Sequence, residues 1–231
     1  CSSDRRGIGL KRVRGVACAT LLGVIEAARA AIQFPTNVAG CVLWLDAADA
    51  GSVIEADGRV AQWRDKSGGG AHVSQDASAR RPASGLSLLN GRNVLTFGGT
   101  NWLGGPAVLQ QGDDTFSYFA VWQRADSATS AQTVFEQSQT PQVTGTRAAL
   151  LTVGSTKLYG FNGQGNDAHA LGSYTPGAGV LTGLELDGRA SRNVFLYSDS
   201  TNHVGTINMT TQNTGATGTR VGCKLTNSGE M

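Results

Sequence analysis

Asp46, Asp49 and Asp65 stand near Trp44, Trp63 and Ser67, the densest grouping of chemically capable side chains in the sequence. Carboxylates at this spacing supply the hard oxygen ligands that Ca²⁺ prefers, so a Ca²⁺ site is one reading of the trio. The other reading is architectural. Both tryptophans would enter the core, while Asp65 and Ser67 cap a tight turn that Gly68 permits. Glu185 and Asp187 also share one face of an expected strand and suggest the paired carboxylates of glycoside hydrolysis. A strand end followed by an Asp187-Gly188 hairpin turn is the plainer account of them.

A second grouping has a different character. Tyr159 and Phe161 are followed by Asn162, Gln164 and Asn166 in a glycine-rich stretch. Aromatic rings cover the apolar face of a sugar while amides bond its hydroxyls, so the pattern suits carbohydrate binding. Trp102 is a further candidate of the same kind. The plain alternatives are a strand leading into a glycine-rich hairpin, and a core position for Trp102. His72, His169 and His203 are far apart and form no nucleophile pattern. Gly68-Gly69-Gly70 lacks the P-loop signature. The cysteines at 1, 18, 41 and 223 contain no C-x-x-C pair, which argues against structural zinc. Cys41 and Cys223 fall in expected strands and could either pair or stay as buried thiols.

These candidates need a scaffold, and composition narrows it. The chain has 231 residues, 40% hydrophobic and 16% charged, with a formal net charge of +2. Disorder of the whole chain needs lower hydrophobicity and higher net charge. No run approaches the roughly 18 apolar residues of a membrane span. Glycine is in excess at 32 residues without a collagen period, as expected of many turns between short strands.

The charge is uneven. Residues 1–40 hold Arg5, Arg6, Lys11, Arg12, Arg14 and Arg29 against Asp4 and Glu26, six minus two, or +4. The remainder holds 13 basic and 15 acidic residues, or −2. A basic N-terminal arm, residues 1–34, therefore precedes a nearly neutral body, residues 35–231. Within the arm, Leu21, Leu22, Ile25, Ala28 and Ile32 can share one face of a short helix over about 16–32. Such a stripe cannot bury itself and predicts docking on the body or on a neighbouring chain. The same stretch also fits a secretion signal ending at Ala28-Arg29-Ala30. Cys1-Ser2-Ser3-Asp4 would suit the start of a mature lipoprotein. A solvated or phosphate-facing arm is the plain account of the basic cluster, and a nucleic-acid partner is not expected.

In the body, strands are expected at Cys41–Leu45, Val94–Phe97, Thr115–Gln123, Thr133–Phe135, Ala148–Val153, Lys157–Phe161, Val180–Asp187, Asn193–Tyr197, Val204–Asn208 and Thr219–Cys223. Val180, Thr182, Leu184 and Leu186 alternate with Leu181, Gly183 and Glu185, the period of a strand packed on one side. Phe116–Trp122 is apolar on both faces and reads as a central strand. Ser67–Asn90 reads as a long connection. The fold class is all-β, a two-sheet antiparallel sandwich.

Three motifs in order, Leu43-Trp44-Leu45-Asp46-Ala47-Ala48-Asp49, then Trp63-Arg64-Asp65-Lys66-Ser67-Gly68, then Phe97-Gly98-Gly99-Thr100-Asn101, carry a family resemblance. The body resembles the concanavalin A-like (laminin-G-like) jelly-roll domains of bacterial surface proteins and of phage and large-virus virion proteins. The resemblance covers about Phe34 to Cys223. It implies a jelly roll and a non-enzymatic structural role in a virion or surface assembly, of capsid-decoration, fibre or tail type. Localisation would be the virion, or else a secreted or bacterial cell-surface setting. Partners would be other assembly proteins, met through the arm in an oligomer. The alternative it implies is an adhesion module that binds host or matrix glycans. A hydrolase is a distant third, since Arg189 stands where related glucanases carry a third catalytic-strand acid. Such domains continue with closing strands beyond the position of Cys223, so a further segment or another chain is expected to complete the sheet.

Overall fold

A computed structural model describes residues 35–109, 115–124, 132–138, 148–153, 158–162, 168–186, 192–198, 201–209, 215 and 218–222. The chain divides into two units, Cys1–Cys41 and Val42–Met231. The first is described from Pro35, where a 3-10 turn spans Pro35–Asn37 and Val38 N–H donates to the Pro35 carbonyl at 3.0 Å. The helix expected over 16–32 lies outside the described residues.

The second unit is antiparallel β-structure. Its strands are β1 (Val53–Ala56), β2 (Arg59–Trp63), β3 (Val73–Ser74), β4 (Ala83–Leu89), β5 (Arg92–Thr96), β6 (Leu103–Gly105), β7 (Phe116–Gln123) and β8 (Gln132–Ser138). They continue as β9 (Ala148–Val153), β10 (Leu158–Asn162), β11 (Ala168–Ser173), β12 (Gly179–Leu186), β13 (Arg192–Ser198), β14 (Thr201–Met209) and β15 (Gly218–Val221). Nine strands form one sheet in the order β1-β2-β3-β6-β15-β8-β9-β10-β11, and four form another, β14-β13-β12-β7. β4 and β5 pair as a separate hairpin.

Two turns show why the first hairpins close. Asp57-Gly58 and Asn90-Gly91 have positive φ at both positions, 56° and 70°, then 50° and 74°. That is the type I′ geometry whose twist matches antiparallel strands, and Asp-Gly and Asn-Gly tolerate it best.

Among the described residues, two apolar clusters anchor the body. Val60, Val73 and Leu103 are fully buried, with Leu45, Val53, Trp63, Leu95 and Phe97 packed around them. Trp122, Tyr174 and Val180 form the second, with Tyr118, Ala120 and Val134 against them. Val134 belongs to β8, and the Tyr118 and Phe135 rings lie 5.7 Å apart. The two sheets therefore meet through β7 and β8. Gly222 is fixed at φ 91°, and a Cβ there would run into the Phe97 ring.

Three expectations are corrected. Cys41–Leu45 is not a strand, because its backbone is held by single contacts instead of a ladder: Trp44 N–H donates to Asp65 Oδ1 at 2.9 Å and Trp44 C=O accepts from Lys66 N at 2.8 Å. Ser67–Asn90 is not a plain connection, since it carries β3, a 3-10 turn at Ser78–Arg80 and all of β4. β7 is the last strand of its sheet order, not a central one. Its inward residues are buried or half-buried, while Phe119 and Val121 are 72% and 63% exposed.

Candidate functional site

Asp46, Asp49 and Asp65 do not form an oxygen cage. Lys66 Nζ lies 3.1 Å from Asp46 Oδ2 and 2.7 Å from Asp49 Oδ2, so an ammonium already occupies the space between those carboxylates. The same ammonium stands 4.2 Å from the centre of the Trp44 ring, a cation–π contact. Lys66 is held above its ordinary value, first by the Asp49 hydrogen bond, against burial that lowers it. Asp49 is lowered by the same hydrogen bond and by the Gly51 N–H.

Asp65 serves a different purpose. Oδ1 accepts from Trp44 N–H and Ser67 N–H, at 2.9 and 2.8 Å, and Oδ2 from Ser67 Oγ–H and Ala71 N–H, at 2.7 and 3.0 Å. Burial pushes its carboxyl up, but these four bonds outweigh it and leave the carboxyl below its ordinary range. Asp65 N–H in turn donates to His72 Nδ1 at 3.0 Å. With all four donors supplied by the protein, this carboxylate holds two turns together. Among the described residues no group of three or more His, Cys, Asp or Glu could hold a metal ion.

Trp102 is also built into the scaffold. The Arg220 guanidinium lies 4.0 Å from its ring centre, and a Cβ on Gly104 would come within 2.9 Å of the ring. Its Nε1 is buried with no hydrogen-bond partner. Tyr159, Phe161 and Asn162 lie in β10, paired with β9 and β11, with Phe161 opposite Leu150 and His169. Gln164 and Asn166 lie outside the described residues, as do Asp187 and Cys223. Glu185 is exposed and pairs with Ser117.

Two features escaped the sequence reading. Gln137, fully buried on β8, accepts at Oε1 from Val108 and Leu109 N–H and donates through Nε2 to the Leu109 and Gly215 carbonyls, all at 2.8 Å. Its amide thereby acts as a short piece of strand that ties remote loops to β8. No local pattern could have marked it, since the partners lie 28 and 78 residues away.

The second is the outer face of β7 and β12. Leu181 pairs with Val121 and Gly183 with Phe119, so Phe119, Val121 and Leu181 are neighbours on one side of the sheet. They are 72%, 63% and 41% exposed. Glu185 is the single charged residue in these two strands, at the end of this face. Large apolar side chains gathered in the open mark a binding surface more often than scattered ones do. Elsewhere, an open groove of about 510 Å³ is lined by Ala47, Ala48, Val53, Ser84, Leu88 and Asn93. The Asn93 amide in its lining is taken up by Gly85 N–H, the Ala47 carbonyl and Ser84 Oγ.

No helix among the described residues is long and apolar enough to cross a membrane. Comparison with protein-family models, with curated proteins and with solved structures finds no match to this chain.

Proposed function

We propose that this chain is a non-enzymatic structural protein of a virion or surface assembly, of capsid-decoration, fibre or tail type, built on a concanavalin A-like jelly-roll sandwich. The observation that carries the reading is the exposed apolar face of Phe119, Val121 and Leu181 on β7 and β12, two strands whose single charged residue is Glu185. Such a face is an aggregation liability unless a partner covers it, and covering it is what an assembly protein does. The polar motif residues support the same reading, because Asp46, Asp49, Asp65 and Lys66 spend their hydrogen bonds on one another and on local backbone. A sandwich is supported by the two antiparallel sheets that meet at Tyr118 and Phe135. Sedimentation of the full chain tests the assignment. A mass that rises with concentration above one chain supports it, and a monomer at all concentrations removes it.

A carbohydrate-binding adhesion module is the second reading. Its specific support is the 72% exposed Phe119 ring, with the exposed Ser117 and Gln123 on the same face of β7. A glycan array that lights up and is silenced by Phe119→Ala favours it. A blank array excludes it.

A further inference from the structure

We propose that the Asn90-Gly91 turn is a self-modification site, where the Asn90 amide is lost through a succinimide that water opens to aspartate or isoaspartate. The inference stands independently of the assembly reading above.

The reactants are adjacent in sequence. Gly91 follows Asn90 and brings no Cβ to obstruct the approach of its nitrogen to the Asn90 side chain. The Gly91 backbone nitrogen attacks Asn90 Cγ and forms a five-membered ring. The Cγ–Nδ2 bond breaks, and Nδ2 leaves as ammonia with the proton that Gly91 nitrogen gives up. Water then adds to either ring carbonyl. Breaking the new N–Cγ bond leaves aspartate, and breaking the original peptide bond leaves isoaspartate, whose main chain runs through Cγ. No oxidant or reductant is needed.

The fold leaves this pair open to the reaction. Asn90 and Gly91 are both exposed, in a two-residue loop closed by the Leu89–Arg92 pair, with φ of 50° and 74°. Among the described residues, neither the Asn90 amide nor the Gly91 N–H has a hydrogen-bond partner.

Other candidates are held. Asn93 precedes Val94 and bonds Gly85 N–H, the Ala47 carbonyl and Ser84 Oγ. Asn101 precedes Trp102 and bonds Gly98 N–H and the Arg81 carbonyl. Asn162, in the second Asn-Gly pair, ends β10 between Ala149 and Ala168. Asp57-Gly58 shares the turn geometry, but its carboxylate, 3.4 Å from Arg81 Nη1, is a poorer electrophile than an amide.

Modification would reach beyond the turn. Isoaspartate adds a main-chain carbon to a loop whose two-residue twist fits the ladder. Leu89, next to it, fills the space beside Gly179, where a Cβ would stand 2.6 Å from Leu89 Cδ1. The product therefore loosens the contact of the β4–β5 hairpin with the start of β12. One amide becomes one carboxylate, so the formal net charge falls from +2 to +1.

Ageing the full chain in mildly alkaline buffer, for several half-lives of a synthetic peptide of residues 81–92, tests this. The tryptic peptide Arg81–Arg92, kept whole at Arg81 by Pro82, holds Asn90 as its one amide side chain. It is expected to yield aspartyl and isoaspartyl products, told apart by electron-transfer fragmentation. The peptide Asn93–Arg124 should convert at Asn93 and Asn101 at least tenfold more slowly. Asn90→Gly, whose Gly-Gly pair suits the same turn, is expected to leave the peptide unchanged on ageing. Faster hydrogen exchange across β4 in the converted chain is expected, and unchanged exchange contradicts the loosening. An Asn90 that stays unconverted, or converts no faster than Asn93 and Asn101, overturns the proposal.

Discussion

Trp44 and Asp65 are 21 residues apart in sequence, yet the Trp44 N–H donates to Asp65 Oδ1 at 2.9 Å. This bond draws the first two recognisable motifs of the chain together, and Lys66 closes the same junction from the other side with Asp46 and Asp49. The motifs are therefore a fastening of the fold, and their chemistry is used up in fastening it.

Asp65→Asn should be destabilising. The amide retains an oxygen for Trp44 and Ser67 N–H but presents an NH₂ to Ala71 N–H and the Ser67 hydroxyl. Hydrogen bonds to a charged group are each worth about 1.5–3 kcal/mol, so a loss of about 2–3 kcal/mol is expected. Urea unfolding monitored by tryptophan fluorescence measures it. A change under about 0.5 kcal/mol would sink the fastening role.

Acid should weaken the fold through the same groups. Asp65 and Asp49 are held below their ordinary 3.8, so the unfolded chain binds more protons than the folded one near pH 4. Their contribution is present above that value and is lost as pH falls through it and on through the folded values. Lys66 is raised above 10.5, so its contribution is present below that value and is lost as pH rises through its folded value. Urea midpoints measured down to pH 3 should fall more steeply for the parent chain than for Asp65→Asn. Parallel acid limbs would show that Asp65 does not carry the effect.

Calcium should do nothing. The Lys66 ammonium already sits between Asp46 and Asp49, and Asp65 has its four donors. A ligand present at 100 times its Kd adds about 2.7 kcal/mol, an unmistakable rise in melting temperature. Such a rise with millimolar Ca²⁺, reversed by chelator, would restore the metal reading of the three aspartates.

Gln137→Glu should be more damaging than its isosteric size suggests. Nε2 donates to two carbonyls, and a carboxylate oxygen there would meet two acceptors at close range. A loss of about 3 kcal/mol at neutral pH is expected, easing as the new carboxyl protonates. A neutral effect on the melt would mean the backbone at Val108 and Leu109 is held by something else.

How much of this the sequence carried depends on range. The expected strands Ala148–Val153 and Asn193–Tyr197 coincide with or fall inside β9 and β13, and the alternation at Val180–Leu186 places Val180, Thr182 and Leu184 in the interior. Local period-2 patterns report local burial. The same logic failed at β7, because apolar residues on both faces look alike whether the outer face is covered or open. Asp57-Gly58 and Asn90-Gly91 were readable hairpin turns, and they announce the unexpected strands β1, β2 and β4, the last paired with the expected strand β5. The Ca²⁺ reading of Asp46, Asp49 and Asp65 weighed the acids without the intervening Lys66, whose position depends on the folded path. Gln137 and the Arg220–Trp102 stack join residues too distant for any spacing to reveal.

The central claim is that the apolar face of β7 and β12 exists to be covered in an assembly. Sedimentation equilibrium of the full chain beside Phe119→Asp with Val121→Asp tests it most directly. The parent chain should show a mass above 23.9 kDa that grows with concentration, and the double variant should return to one chain with its far-UV circular dichroism and melt preserved. A monomeric parent, or a variant whose mass matches an assembled parent, would contradict the account.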